Sequence, residues 1–224
     1  LVSAATNAYQ FAEFRVDWAY FFGAPLIGAA TFLSPSFERF YIPSGFAYQD
    51  LRPQGSSALV DHLLSTEQVD IVHHGASTNR LEKIRTLTEW PVTYDLLRVC
   101  SNKSQAAEVR NCSACHKCYR TMAVLSLMNA SSKYSTFKPK LTPGDYVRWG
   151  LLTHLNLGMA SQISMKAWKS GKIGLALGTW TAISIHFWVE MVIRTIKFIL
   201  PSKTLYRIKR IRYKPESKAT DNQP

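Results

Sequence analysis

All four cysteines of this 224-residue chain fall between Cys100 and Cys118, in the spacing C-x11-C-x2-C-x2-C. Cys112, Cys115 and Cys118 sit in the run NCSACHKCYRT, and Cys100 closes the apolar run LLRV upstream. Thiols three positions apart turn their sulfurs to one side of a tight turn, and a remote fourth thiolate completes a tetrahedron around one ion. Whatever the chain folds into must therefore bring residue 100 back to residues 112–118. Disulfides fit poorly, because three cysteines this close compete for partners. The opening LVSAATNAYQFAEF also lacks the basic and apolar regions of a signal peptide, so none is expected. The donor set Cys100, Cys112, Cys115 and Cys118 reads first as a structural zinc site. A four-iron–four-sulfur cluster is the alternative, since C-x2-C-x2-C also serves ferredoxins, and four unliganded thiols are the third reading. His116, inside the knuckle, is read as solvated. Lys117, Arg120 and the start of a helix over Tyr119–Met128 would offset the negative charge of four thiolates.

The rest of the composition is that of a folded protein, with 46% hydrophobic and 19% charged residues. None of the five methionines precedes Met122, so the chain is expected to be a fragment or a processed form. The net charge of +12 is unevenly placed. Residues 1–132 carry eleven basic and eleven acidic residues, whereas residues 133–214 carry fifteen basic residues against Asp145 and Glu190. A back half so charged attracts phosphate, nucleic acid or anionic lipid.

Ahead of the knuckle, short elements alternate. Val16 to Leu33 reads as a mostly apolar buried helix. Phe40 to Ile42 reads as a strand ending in the turn Pro43-Ser44-Gly45. Val69 to Val72 reads as a second strand, running into the loop His73 to Ser77. A helix over Asn79 to Trp90 follows, capped by Ser77 or Thr78, with Leu81, Ile84 and Leu87 on one face. Leu96 to Cys100 reads as a third strand. Strands alternating with helices imply an α/β fold, a partial doubly wound parallel sheet with a four-cysteine knuckle. Ligands of such sheets bind beyond the carboxyl ends of the strands, here the Ser44-Gly45 and His73-to-Ser77 loops. Asp61-His62 and His73-His74 carry no nucleophile in recognisable context, and are read as histidines with ordinary hydrogen bonds. Arg80 and Lys83 are read as a solvated helix face, with phosphate contact as the alternative.

The order of these parts resembles a known family. The helix APLIGAA, a strand ending in SG, the loop YQDLRPQGSS, then strand, helix, strand and C-x2-C-x2-C look like the C-terminal half of 7-cyano-7-deazaguanine synthase and its PP-loop ATP pyrophosphatase (adenine nucleotide α-hydrolase-like) relatives. The resemblance covers residues 16–130. It implies a nucleotide-binding domain, adenylation of a small-molecule carboxylate by ATP, and a zinc held by Cys100, Cys112, Cys115 and Cys118. It also places Ser44 and Gly45 near the nucleotide and puts Gln49, Asp50 and Arg52 in the substrate-side loop. The family's YPDC in that loop is RPQG here, which separates this chain from a deazaguanine substrate. The SGGxDS loop that holds pyrophosphate in the family is not in this sequence. The resemblance therefore implies an ATP-dependent ligase or synthase whose catalytic loop either lay upstream of Leu1 or was never present, the first being favoured by the missing start methionine, and a chain that is inactive alone.

The resemblance ends near Pro139. Thr142-Pro143-Gly144-Asp145 opens a helix that continues through Tyr146 to Leu157. The run TAISIHFWVEMVIRTIKFILP is a broad apolar helix with His186, Glu190, Arg194 and Lys197 as a polar stripe, and SKTLYRIKRIRYK after it adds six basic residues and no acid. Charge near its end argues against a membrane span. Residues 145–214 are thus read as docking to a protein partner or to an anionic membrane surface, with nucleic acid disfavoured for want of a recognition module. The organisation expected is an α/β part over 1–132, a helical region over 133–200 and a basic, partly disordered tail over 201–224. The expected location is the cytoplasm, with peripheral membrane attachment as the alternative. The non-enzymatic reading is a zinc-stapled nucleotide-binding-like module that docks through its C-terminal helices.

Overall fold

The structure is a computed structural model that describes residues 7, 8, 10, 16–100, 111–152 and 155–199. The tail over 201–224, expected to be basic and partly disordered, lies outside the described residues. The chain divides into two compact units, Leu1–Glu89 and Trp90–Pro224. This division falls earlier than the expected boundary after residue 132, and it groups the knuckle with the helices.

In the first unit, α1 (Gly23–Thr31) precedes two parallel strands, β1 (Arg39–Pro43) and β2 (Asp70–His74), and α2 (Arg80–Leu87) follows. The register pairs Arg39 with Asp70 and Pro43 with His74, and the Ser44 N–H donates to the His74 carbonyl to carry the ladder one step further. Ile27 of α1 joins Ile42, Val69 and Ile71 in one buried cluster, flanked by Phe37 and Phe40. Burial of an aliphatic side chain of this size contributes about 2 kcal/mol, which a two-stranded sheet needs because it is marginal alone.

Three expectations change here. The apolar stretch from Val16 is not one helix. Asp17 accepts from the Ala19 N–H and starts a 3-10 turn over Trp18–Tyr20, and the Gly55 N–H takes the Ala19 carbonyl that a continuing helix would use. Second, β2 extends through His73 and His74, so these residues belong to a strand rather than a loop. Third, α2 is capped by Asn79, whose side chain accepts from the Glu82 N–H at 3.0 Å, rather than by Ser77 or Thr78.

The largest correction concerns the sheet. Leu96 to Cys100 forms no strand, and among the described residues the sheet has two strands only, so a doubly wound arrangement is not what the fold shows. Thr93–Leu96 instead makes one helical turn, α3. The Asn111 side chain then takes the backbone groups that a neighbouring strand would pair. It accepts from the Val99 and Cys100 N–H groups at 2.9 and 3.2 Å and donates to the Leu97 carbonyl at 2.7 Å.

The second unit is a helical assembly around α4 (His116–Leu127), which is buried on nearly all sides. α5 (Pro143–Leu151), α6 (Leu157–Lys169) and α7 (Ile173–Ile199) all pack on it, and α7 also lies against α5 and α6. The single helix expected from Tyr146 to Leu157 ends at Leu151, because Leu152 turns extended. A new helix starts under the Asn156 cap, which accepts from the Met159 N–H. α5 and α7 come very close: a Cβ on Gly178 would lie 2.5 Å from the Tyr146 ring, and one on Gly150 would lie 2.6 Å from the Ala182 carbonyl oxygen. At the far end of α4, Lys172 Nζ donates to the Ser126 and Leu127 carbonyls at 2.7 and 2.9 Å, satisfying groups that a helix end leaves open.

Asp145 joins α4 to α5. Its Oδ2 accepts from the Thr142 N–H and hydroxyl, both at 2.7 Å, and its Oδ1 accepts from Lys138 Nζ at 2.5 Å and from the Tyr119 hydroxyl at 3.4 Å. Burial disfavours the charge, but Lys138 and Thr142 more than offset it and hold the carboxyl at about 2. A carboxyl held below its ordinary value stabilises the fold at higher pH, and that contribution is lost as pH falls through the folded value. Asp145→Asn should therefore cost about 2 kcal/mol in urea unfolding at neutral pH. The gap from wild type should close as the pH is lowered from about 4 to about 2.

Candidate metal centre and strand-end groove

The knuckle is built at the N-terminus of α4. Cys115 is its N-cap residue and Cys118 lies in its first turn, fully buried. Ser113 adopts the left-handed conformation (φ 53°) between Cys112 and Cys115, and its Oγ accepts from the Lys138 N–H at 3.0 Å, which fixes the turn. Cys100 arrives on the segment stapled by Asn111, itself only 1% exposed. Sequence reading found the four cysteines but not Asn111, which stands directly before Cys112 and carries no signal beyond that position.

The four sulfurs all lie within 4.8 Å of one another. Cys115 and Cys118 are 3.5 Å apart, Cys112 and Cys118 3.8 Å, and Cys100 and Cys115 4.0 Å. Four thiolates placed tetrahedrally at about 2.3 Å from one ion would have edges of about 3.8 Å. The donor set therefore fits a single metal ion. The chemistry agrees. Burial pushes the thiols of Cys112 and Cys118 up, strongly for Cys118, whose hydrogen bond and charge interaction with Cys115 add to it. A dication reverses this preference and binds the thiolates outright. The Ala114 and Cys115 N–H groups point at the Cys112 sulfur, and the positive end of α4 favours negative sulfur as well.

In the first unit, the carboxyl ends of β1 and β2 form a groove of about 600 Å³, lined by Ser44, Gly45, His74, Gly75, Arg80 and Lys83 among others. The two loops picked out from sequence as ligand-binding are thus brought together. Gly75 needs its positive φ of 83° to turn the chain away from β2, beside the Lys83 ammonium. Arg80 Nη2 donates to the Gly45 carbonyl at 3.1 Å. Lys83 Nζ donates to the Ser44 carbonyl at 3.1 Å and to its hydroxyl at 2.5 Å. Neither cation is in an ion pair among the described residues. Partial burial, and then the charge of Arg80, lower the pKa of Lys83. Gln49, Asp50 and Arg52 do not line this groove. Gln49 and Asp50 are exposed in the 3-10 turn Tyr48–Asp50, and the Arg52 guanidinium stacks on the Phe46 ring at 4.0 Å.

The two histidines of β2 face opposite ways, as alternate strand residues do. His74 meets Tyr41 edge-on at 5.8 Å and is exposed. His73 is buried, with Nδ1 2.6 Å from Asp61 Oδ2, which also accepts from the Ser56 hydroxyl at 2.7 Å. Ser56 bonds the carboxylate and not the imidazole, so the trio lacks the order of a nucleophilic triad. It fastens the loop before β2 to the strand.

No family model, curated protein or solved structure matches this chain. Asn111→Ala would leave Cys100 without its staple while keeping all four sulfurs. Competition against a chelator should show metal affinity lowered about 10–100-fold, whereas unchanged affinity would mean that Cys100 is positioned by other contacts.

Proposed function

We propose that this chain is part of an ATP-dependent adenylating enzyme of the PP-loop kind, with a structural zinc in its knuckle. The observation that carries the reading is the strand-end groove. Arg80 and Lys83 converge with the Ser44 hydroxyl where parallel α/β sheets hold phosphorylated ligands. An anion there would relieve the repulsion between the two cations, and it would find N–H and hydroxyl donors already in place. Ser44 and Gly45 would lie against the nucleotide. Gln49, Asp50 and Arg52 would reach the substrate only through movement of their loop. Zinc is favoured over iron because one closed set of four thiolates on a single ion is a structural zinc arrangement. A four-iron cluster, by contrast, places each thiolate on a separate iron and spreads the sulfurs further apart.

No SGGxDS loop lies within these 224 residues, so the activity assigned to this chain is binding, and adenylation of a carboxylate belongs to a chain that also carries that loop. Calorimetric titration should show ATP and pyrophosphate binding to the wild type, with Arg80→Ala and Lys83→Ala each weakening both by about tenfold, the size of a lost charge-assisted hydrogen bond. If neither ligand binds, the reading falls and a non-catalytic docking module takes its place. Metal analysis should return one zinc per chain; iron with acid-labile sulfide would contradict the zinc assignment.

A further inference from the structure

α7 has two faces. Leu175, Ala176, Thr179, Ala182 and His186 are buried against the rest of the unit. On the opposite side, Ile173, Leu177, Trp180, Phe187, Met191 and Phe198 are all exposed. At about 100° per residue these six fall within about 80° of one another. With the exposed Ser184 and Thr195 in the same sector they form a mostly apolar stripe about 38 Å long at 1.5 Å per residue, and beyond His186 the exposed Trp188, Val192, Ile196 and Ile199 widen it to about 180°. Met165 and Trp168 of α6 are exposed as well, and with Trp180 they line a shallow pocket that widens the stripe at one end. A mostly apolar surface of this length marks a contact with something else.

We infer that this stripe rests on an anionic phospholipid surface, with α7 lying in the plane of the headgroups. Charge decides against a second copy of the chain. Residues 133–214 carry fifteen basic residues against two acidic ones, and self-association through α7 would press two such regions together. An anionic bilayer instead attracts each nearby Lys or Arg by about 1 kcal/mol. Lys169 borders the α6 pocket and Arg194 falls at the edge of the stripe. The segment SKTLYRIKRIRYK, with six basic residues, follows the helix in sequence. Trp168 and Trp180 suit the headgroup level, where amphipathic rings collect.

α7 is long and apolar enough to cross a membrane, yet only 22% of its most apolar window is buried and that share is all on one side. The packed half, Leu175 to His186, lies on protein and cannot be surrounded by lipid. The thirteen residues beyond His186 reach about 20 Å, short of the roughly 30 Å hydrocarbon core. The geometry is that of an amphipathic helix in the interface, not a span.

Vesicle flotation with the whole chain tests this. Vesicles of phosphatidylcholine with phosphatidylserine should carry the chain upward, phosphatidylcholine alone should not, and added salt should weaken the binding. Leu177→Ser combined with Phe187→Ser changes only exposed positions and should leave metal content and helical signal intact. It should lower the partition coefficient at least about tenfold. Brominated lipid should quench tryptophan fluorescence, and Trp180→Phe should remove part of the quenched signal. The proposal is overturned if anionic vesicles fail to carry the chain at low salt. It is equally overturned if the double variant floats as well as wild type, or if light scattering shows a dimer that the double variant abolishes while vesicles stay bare.

Discussion

The convergence of four sulfurs at the N-terminus of α4 is the constraint on which the second unit depends. The Asn111 side chain ties the segment of Cys100 to the start of the knuckle, and three hydrogen bonds from one side chain are a modest tether. A metal–thiolate centre adds folding free energy directly, on a scale well above any single side-chain contact. Its placement matters because α4 is the helix that α5, α6 and α7 all touch. One end of α4 is tied by sulfur, the middle by Tyr119 to Asp145, and the other end by Lys172 on its last carbonyls. Loosening the first of these exposes the core helix of the unit.

Part of this was legible in the sequence because some residue patterns have few structural solutions. C-x2-C-x2-C with a distant fourth cysteine has few uses, and the sulfurs meet as that spacing requires. β1 and β2 were visible as short β-branched and aromatic runs, and Thr142-Pro143 before Asp145 announced α5 with its cap. Three of the misses share a cause, since each depends on a partner remote in sequence. Leu96 to Cys100 has a strand's composition, but Asn111 takes its backbone groups. The apolar run from Val16 has a helix's composition, but the Gly55 N–H interrupts it. The Asp61–His73 pair joins residues twelve positions apart, and only the register of β2 puts the imidazole inside. α6 was invisible for a different reason. Its start depends on an extended Leu152 that breaks an otherwise helical pattern, and on Asn156 as a cap in a stretch without other punctuation.

The two units bring different physics to function. The first presents paired cations and a serine hydroxyl at the ends of parallel strands, an arrangement suited to a compact anion. The second presents an apolar helix face in a strongly basic region, an arrangement suited to an extended anionic surface. Local desolvation lowers the pKa of Lys83 in the groove, whereas the α7 stripe depends on area and on summed charge. The two should therefore respond differently to salt: many weak surface contacts are screened together, while a groove with fixed donors retains more of its affinity.

The most direct measurement is to count the metal in the purified chain and then follow helical signal and unfolding as a strong chelator removes it. If one ion leaves per chain and the helical structure of the second unit is lost with it, the knuckle is the staple described here. If the chain carries no metal, or if its removal leaves the unfolding transition where it was, the four thiols are only neighbours. The account of how α4 is held would then be wrong.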